Sequence, residues 1–136
     1  MRGAERSAKI SALNPRMKQN PRILIVDDDP DVTAMLQRSL SRRGFRIDST
    51  SSPEEALQKA DANVYDGAIL DLVMPGRDGA DLAGLLRQKA PGMPVALLTG
   101  YTHSPLLTAV ERSGVAVFLK PVAIQDLVDF LQSEMG

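Results

Sequence analysis

The chain has 136 residues, 43% of them hydrophobic, with no cysteine, no tryptophan and a formal net charge of -1. That length fits one domain with a full core of Leu, Val, Ile, Ala and Met, and the missing cysteine excludes disulfides, thiol catalysis and thiolate metal sites. No window offers a membrane-spanning run or a secretory signal region, which leads us to expect a cytoplasmic protein.

The near-neutral total hides an asymmetry. Residues 1 to 22 carry six basic side chains (Arg2, Arg6, Lys9, Arg16, Lys18, Arg22) against Glu5, and the remainder holds 10 basic and 16 acidic groups. A basic arm beside an acidic body has the charge to touch nucleic acid. Residues 1–20 also lack aromatics and helical period, so the expectation for them is a disordered extension, with the folded domain spanning 21–136. Met17 reads as a natural start just before the first strand.

In chain order the pattern gives β1 (Arg22 to Val26), α1 (about Pro30 to Arg43), β2 (Arg46 to Thr50), α2 (Pro53 to Ala60) and β3 (Gly67 to Leu70). Then follow α3 (about Gly79 to Lys89), β4 (Val95 to Leu98), α4 (about Ser104 to Arg112), β5 (Val115 to Leu119) and α5 (Ile124 to Glu134). Gly44 after Arg42-Arg43 stops a helix, and Ser52-Pro53-Glu54-Glu55 supplies a cap, a first-position proline and early acids. Val32, Met35, Leu36 and Leu40, then Leu82, Leu85 and Leu86, then Leu127, Val128 and Leu131 recur at helical spacing as core stripes. Short apolar runs between helical segments are strands buried on both faces. Five such units with right-handed crossovers predict an α/β fold, a doubly wound five-stranded parallel sheet of order 2-1-3-4-5.

That order sets the chemistry. Four strands stop at polar residues, Asp27-Asp28, Asp71, Thr99 and Lys120, and ligands of such sheets gather at the carboxyl ends of the strands. Three converging carboxylates repel unless they share a cation, and a set of oxygen ligands favours Mg²⁺. Thr99 and Lys120 add a hydroxyl and a fixed positive charge, the complement of a phosphoryl group in transfer. Asp71, at the end of central β3 and followed by the turn Met74-Pro75-Gly76, is the candidate nucleophile, giving an aspartyl phosphate.

These motifs resemble the response-regulator receiver domain of two-component signalling, from Arg22 to the C-terminus. The resemblance rests on Val26-Asp27-Asp28-Asp29-Pro30, on Leu70-Asp71-Leu72-Val73-Met74-Pro75-Gly76-Arg77-Asp78-Gly79, on Leu98-Thr99-Gly100 and on Leu119-Lys120-Pro121. It implies the flavodoxin-like receiver architecture and phosphorylation of Asp71 from the phosphohistidine of a sensor kinase or phosphotransfer protein. It further implies Mg²⁺ held by Asp27, Asp28, Asp71 and the backbone carbonyl of Val73, with Thr99 and Lys120 binding the phosphoryl oxygens. Gly100 keeps the approach open, Lys120-Pro121 is expected to be cis, and the surface of α4, β5 and α5 is expected to change on phosphorylation and to receive a target or a second copy as a homodimer. Catalysis is then confined to the chain's own phosphorylation and dephosphorylation.

Two positions depart from the family pattern. The aromatic that usually lies three residues before the lysine is Val117 here, with Phe118 one step later, so either Phe118 joins Thr99 as the switch after a one-residue shift or the aromatic part of the switch is missing. Val73 and Tyr101, two after the acceptor and two after Thr99, are expected to slow water's access to the phosphoryl group.

Other readings are weaker. Asp29 before Pro30 is expected to cap α1, and the lone His103 to lie exposed in a loop. Asp29-Pro30-Asp31-Val32-Thr33 mimics the Asp-x-Asp-x-Thr motif of haloacid-dehalogenase phosphatases but sits two residues past the strand end. A flavodoxin-like nucleotide binder wants glycine or hydroxyls where this chain has three aspartates. A receiver-like module that binds without phosphorylation stays open, as do the kinase, the output and whether the receiver stands alone or belongs to a hybrid protein. No DNA-binding or other effector domain is expected after α5.

Overall fold

The computed structural model describes residues 20–74, 77–100 and 115–135. Five strands form one parallel sheet in the order β2-β1-β3-β4-β5, as the pattern predicts. The strands are β1 (Arg22–Val26), β2 (Arg46–Thr50), β3 (Gly67–Asp71), β4 (Val95–Thr99) and β5 (Ala116–Leu119). The helices are α1 (Pro30–Ser41), α2 (Pro53–Ala62), α3 (Gly79–Lys89) and α5 (Ile124–Met135). The expectations for α4 over 104–112, for the extension over 1–19, and for Tyr101 and His103 lie outside the described residues.

Every residue of β3 and β4 is buried, which explains their unbroken apolar runs: both faces are covered. Alternation along the strands sorts the core into two layers. Leu24, Val26, Leu70 and Leu97 pack with Ala56 of α2 and with Leu82 and Leu86 of α3. Ile23, Ile25, Ile69 and Leu98 pack on the other face with Leu36 and Leu40 of α1 and with Leu127 and Leu131 of α5. The stripes read in α1, α3 and α5 are thus the inward faces of helices on both sides of the sheet.

Local chemistry sets the boundaries. The Asp29 carboxylate accepts from the N–H groups of Asp31 and Val32, Ser52 Oγ accepts from Glu55 N–H, and Asp78 accepts from Asp81 N–H, so all three helices start on a polar cap. Helix α1 ends at Ser41, two residues earlier than its periodicity suggests, because Arg43 and Gly44 N–H tighten onto Leu40 and Ser41 carbonyls and Gly44 takes a φ of 91°. Strands β3 and β4 each run one residue further than expected. Leu72 N–H donates to Leu98 O and Lys120 N–H to Thr99 O, each at 2.8 Å, so Asp71 and Thr99 are held inside the ladder instead of in the loops after it.

The opposite, N-terminal end of the sheet is tied by a polar network. Arg22 Nη2 lies 2.7 Å from Asp48 Oδ2, and the Tyr65 hydroxyl donates to the same oxygen at 2.6 Å. The Arg22 guanidinium also stands 5.2 Å from the centroid of the Tyr65 ring, and its backbone N–H donates to Asp66. Residues of β1, β2 and the α2–β3 connection are thereby joined.

Candidate functional site

The pairing of β1 with β3 brings the predicted acids together. Strand β1 delivers Asp27 at its end, and Asp27 N–H donates to Thr50 O of β2 at 3.2 Å. Its Oδ1 accepts from Asp29 N–H at 2.9 Å, which turns the chain into α1. One carboxylate oxygen each from Asp27, Asp28 and Asp71 lies within 4.8 Å of the others. Asp27 and Asp71 are buried while Asp28 is exposed, so the cluster opens to solvent on one side.

Lys120 reaches this cluster from β5. Its Nζ stands 3.3 Å from Asp71 Oδ1 and 3.4 Å from Asp27 Oδ2, bridging the two buried acids. The backbone bond from Lys120 N–H to Thr99 O anchors this approach at the end of β4, and the Lys120-Pro121 peptide is cis. Burial and the neighbouring Asp27 push the Asp71 carboxyl above its ordinary range, and the Lys120 cation only partly offsets this. For Lys120, burial favours the neutral amine, but the Asp27 and Asp71 carboxylates outweigh it and raise the ammonium's pKa. Asp71 is therefore a carboxylate whose charge the fold does not fully stabilise, held against a firmly charged amine.

The arrangement has the chemistry to hold a divalent cation. An octahedral Mg²⁺ with oxygens at about 2.1 Å sets neighbouring ligands roughly 3 to 4 Å apart. The three carboxylates, within 4.8 Å, need only a small contraction to meet this. Val73 N–H lies 3.4 Å from Asp71 Oδ1, and the Val73 side chain is half exposed beside the acceptor. Thr99 is buried at the end of β4, and Gly100 beyond it faces open space. An open groove of about 540 Å³ runs from Asp27 and Asp28 past Thr33 to Ser49 and Glu55.

Phe118 requires a correction. The β4–β5 ladder is in register, with Leu97 opposite Val117 and Leu98 opposite Phe118. Thr99 pairs with Leu119 and shares the face of Leu97, so Val117 and Leu119 are the β5 side chains on Thr99's face, and Phe118 points to the other. There it packs edge-to-face on Phe130 of α5, with ring centroids 5.6 Å apart. No one-residue shift brings Phe118 to Thr99, and its place as a switch residue beside the hydroxyl is withdrawn.

Gly79 is the site residue that sequence reasoning passed over as a helix start. A Cβ there would stand 2.2 Å from Asp71 O, and Gly79 N–H donates to Leu72 O at 2.7 Å. The missing side chain lets the first turn of α3 press against the acceptor's backbone. The signal available was a glycine opening a helix that Asp78 already caps, a place where any better helix former would otherwise serve. The phosphatase-like mimic dissolves in the structure: Asp29 caps α1, and the Thr33 hydroxyl donates to Asp29 O at 3.1 Å.

A family model described as "Response regulator receiver domain" matches residues 23–132. Among curated proteins, the chain is 36% identical over 110 residues to the transcriptional regulatory protein PrrA of Mycobacterium tuberculosis, covering 80% of this chain and 47% of that protein. It is 38% identical over 80 residues to the alkaline phosphatase synthesis transcriptional regulatory protein PhoP of Bacillus subtilis, covering 59% and 33%. The chain spans half or less of the length of these relatives. Among solved structures, a CheY-like receiver domain protein from Methanospirillum hungatei superposes with a TM-score of 0.79 at 27% identity, over 85% of this chain and 93% of that one. The response regulator TrrA of Thermotoga maritima, solved in complex with Mg²⁺ and BeF, superposes with a TM-score of 0.75 at 32% identity, over 84% and 98%. With its sheet order, its acid cluster and a family match across nearly all of its described residues, the chain belongs to the response regulator receiver domain family.

Proposed function

We propose that this chain is the phosphoacceptor of a two-component phosphorelay, taking a phosphoryl group from the phosphohistidine of a sensor kinase or phosphotransfer protein onto Asp71. The observation that carries this reading is the Lys120 ammonium set between Asp27 and Asp71 beside an open acid cluster. An Asp71 oxygen attacks phosphorus, the phosphorus–nitrogen bond of the donor breaks, and the imidazole leaves with its electron pair. Lys120, freed from Asp71 as that carboxylate becomes an acyl phosphate, pairs with a phosphoryl oxygen, and the Thr99 hydroxyl donates to another. Asp27, Asp28, Asp71 and the Val73 carbonyl are the groups suited to Mg²⁺, which when bound offsets the charge of acids and phosphate together.

The added group carries a charge of about -2 and strong acceptor oxygens. Drawing Thr99 and the end of β4 toward it biases the packing of β5 and α5, where a target protein or a second copy docks. On Thr99's face of β5 this chain has Val117 and Leu119, so the shift travels through the strand ends and not through an aromatic rotamer. Activity is limited to the chain's own phosphorylation and dephosphorylation. The setting is cytoplasmic, in keeping with described helices none of which is long and apolar enough to cross a membrane.

The test is to incubate the protein with Mg²⁺ and acetyl phosphate and weigh it intact beside Asp71→Ala. One phosphoryl group gained, dependent on Mg²⁺ and absent in the variant, is expected. No gain by a protein whose circular dichroism is that of a folded domain contradicts the proposal and favours a receiver that acts by binding alone.

A further inference from the structure

The turn that follows the acceptor is closed at its base by Gly79 N–H, which donates to Leu72 O at 2.7 Å. Val73, whose carbonyl is among the groups suited to Mg²⁺, lies within that turn. Two residues before Gly79, the half-buried Arg77 reaches to two helices. Its Nη1 donates to Asp81 Oδ2 of α3 at 2.6 Å, and its Nε stands 3.7 Å from Glu54 Oε1 in the first turn of α2.

Stability alone does not explain this residue. Arg77 precedes Asp78, the N-cap of α3, and stands beside the first turn of α2, where the positive ends of both helix dipoles disfavour a cation. Its Nε is buried without a hydrogen-bond partner, and a buried donor left open costs free energy. The other tie between these helices has no such cost. Lys89, in the last turn of α3 where the dipole favours a cation, pairs with the exposed Asp61 of α2.

What Arg77 joins is the two sides of the acid cluster. Asp27 N–H donates to Thr50 O, the Thr50 hydroxyl accepts from Ser52 N–H at 3.1 Å, and Ser52 caps the helix whose first turn holds Glu54. From Glu54 the contact passes to Arg77 and the start of α3, where Gly79 lies against Asp71 O. A path of contacts thus runs around the cluster from Asp27 to Asp71, and Arg77 links its β2–α2 part to its β3–α3 part.

We propose that Arg77 is a positioning residue for the phosphoacceptor: its guanidinium ties the acceptor's turn to α2 and so fixes how Asp71 and Val73 are presented to Mg²⁺. Its contacts are with Glu54 and Asp81, so it acts through the turn and not on the phosphoryl group. Arginine suits this place because one planar fork meets two carboxylates at once. The inference rests on the phosphoacceptor reading above.

The test is isothermal titration calorimetry of Mg²⁺ into the full chain and its variants. Arg77→Ala and Glu54→Gln should each weaken Mg²⁺ binding by about fivefold, and the double variant by little more than Arg77→Ala alone, because the two side chains act as one link. Arg77→Lys, which keeps the charge, should recover part of the loss. Lys89→Ala cuts the other α2–α3 tie and should leave the affinity unchanged, which separates positioning from a general loss of stability. Without Mg²⁺, hydrogen exchange at the Gly79 amide should quicken about tenfold in Arg77→Ala while the amides of β3 keep their protection. Equal affinity in Arg77→Ala and the natural protein, additive losses in the double variant, or the same loss in Lys89→Ala would each overturn the positioning role alone. A natural protein that takes neither Mg²⁺ nor a phosphoryl group would contradict the phosphoacceptor reading and this role with it.

Discussion

The two ends of the sheet use the same residue types to opposite effect. At the N-terminal end, Asp48 takes hydrogen bonds from Arg22 and Tyr65, and although burial opposes its charge, these partners hold its carboxyl below the usual value. At the C-terminal end, Asp27 and Asp71 share the single amine of Lys120, and the Asp71 carboxyl is pushed up. One end is a satisfied structural tie. The other stores unfavourable charge that a cation and a phosphoryl group can relieve, which is how sites are set apart from scaffolds.

The largest expected break in this contrast is Lys120→Ala, which removes the cation facing the transferred group. Phosphorylation of Asp71 by acetyl phosphate should slow by about 100-fold or more, the cost of losing one preorganised charge donor. Stopped-flow or timed mass measurements would check it. Val73→Asn with Tyr101→Ala should then shorten the lifetime of the phosphorylated protein by about tenfold, equivalent to about 1.4 kcal/mol of barrier. An unchanged lifetime would mean that these two side chains do not shield the phosphoryl group.

Gly79→Ala places a methyl group against Asp71 O and should cost about 3 kcal/mol in denaturant unfolding as α3 is forced away. A near-neutral effect would show that the first turn of α3 moves freely. Tyr65→Phe, at the satisfied end, should cost about 1 to 2 kcal/mol at neutral pH by leaving Asp48 one bond short.

The pH dependence sharpens the same point. Burial and the Asp48 bond raise the Tyr65 hydroxyl from 10.0 to about 12, so its stabilisation is complete below pH 10 and is lost between 10 and 12. The deficit of Tyr65→Phe should close over that window. The depressed Asp48 carboxyl works the other way: its contribution is present above 3.8 and fades as the pH falls through its lower folded value.

What could be read in advance follows the same division. The rim was legible because each of its residues ends an apolar run, and strand order alone then brings Asp27 next to Asp71. The tie at the other end was not, since Arg22, Asp48 and Tyr65 stand 26 and 17 positions apart with no period or motif joining them. The role of Phe118 stayed open in the sequence because adjacent positions on a strand face opposite ways, and only the observed register with β4 decides between Val117 and Phe118. Gly79 was missed because a close approach of backbones leaves no mark in hydropathy.

The central claim, that the acid rim is held under unfavourable charge which a cation relieves, is tested most directly by thermal melting of the protein and of Asp71→Asn, with and without Mg²⁺. Without the ion at neutral pH, the variant should melt higher than the natural protein, because burial and Asp27 raise the folded pKa of Asp71 and such a carboxyl destabilises the fold when ionised. That advantage should vanish as the pH falls through the carboxyl range, and Mg²⁺ should raise the melting temperature of the natural protein well above any effect on the variant. Equal melting temperatures in all four samples would contradict the account.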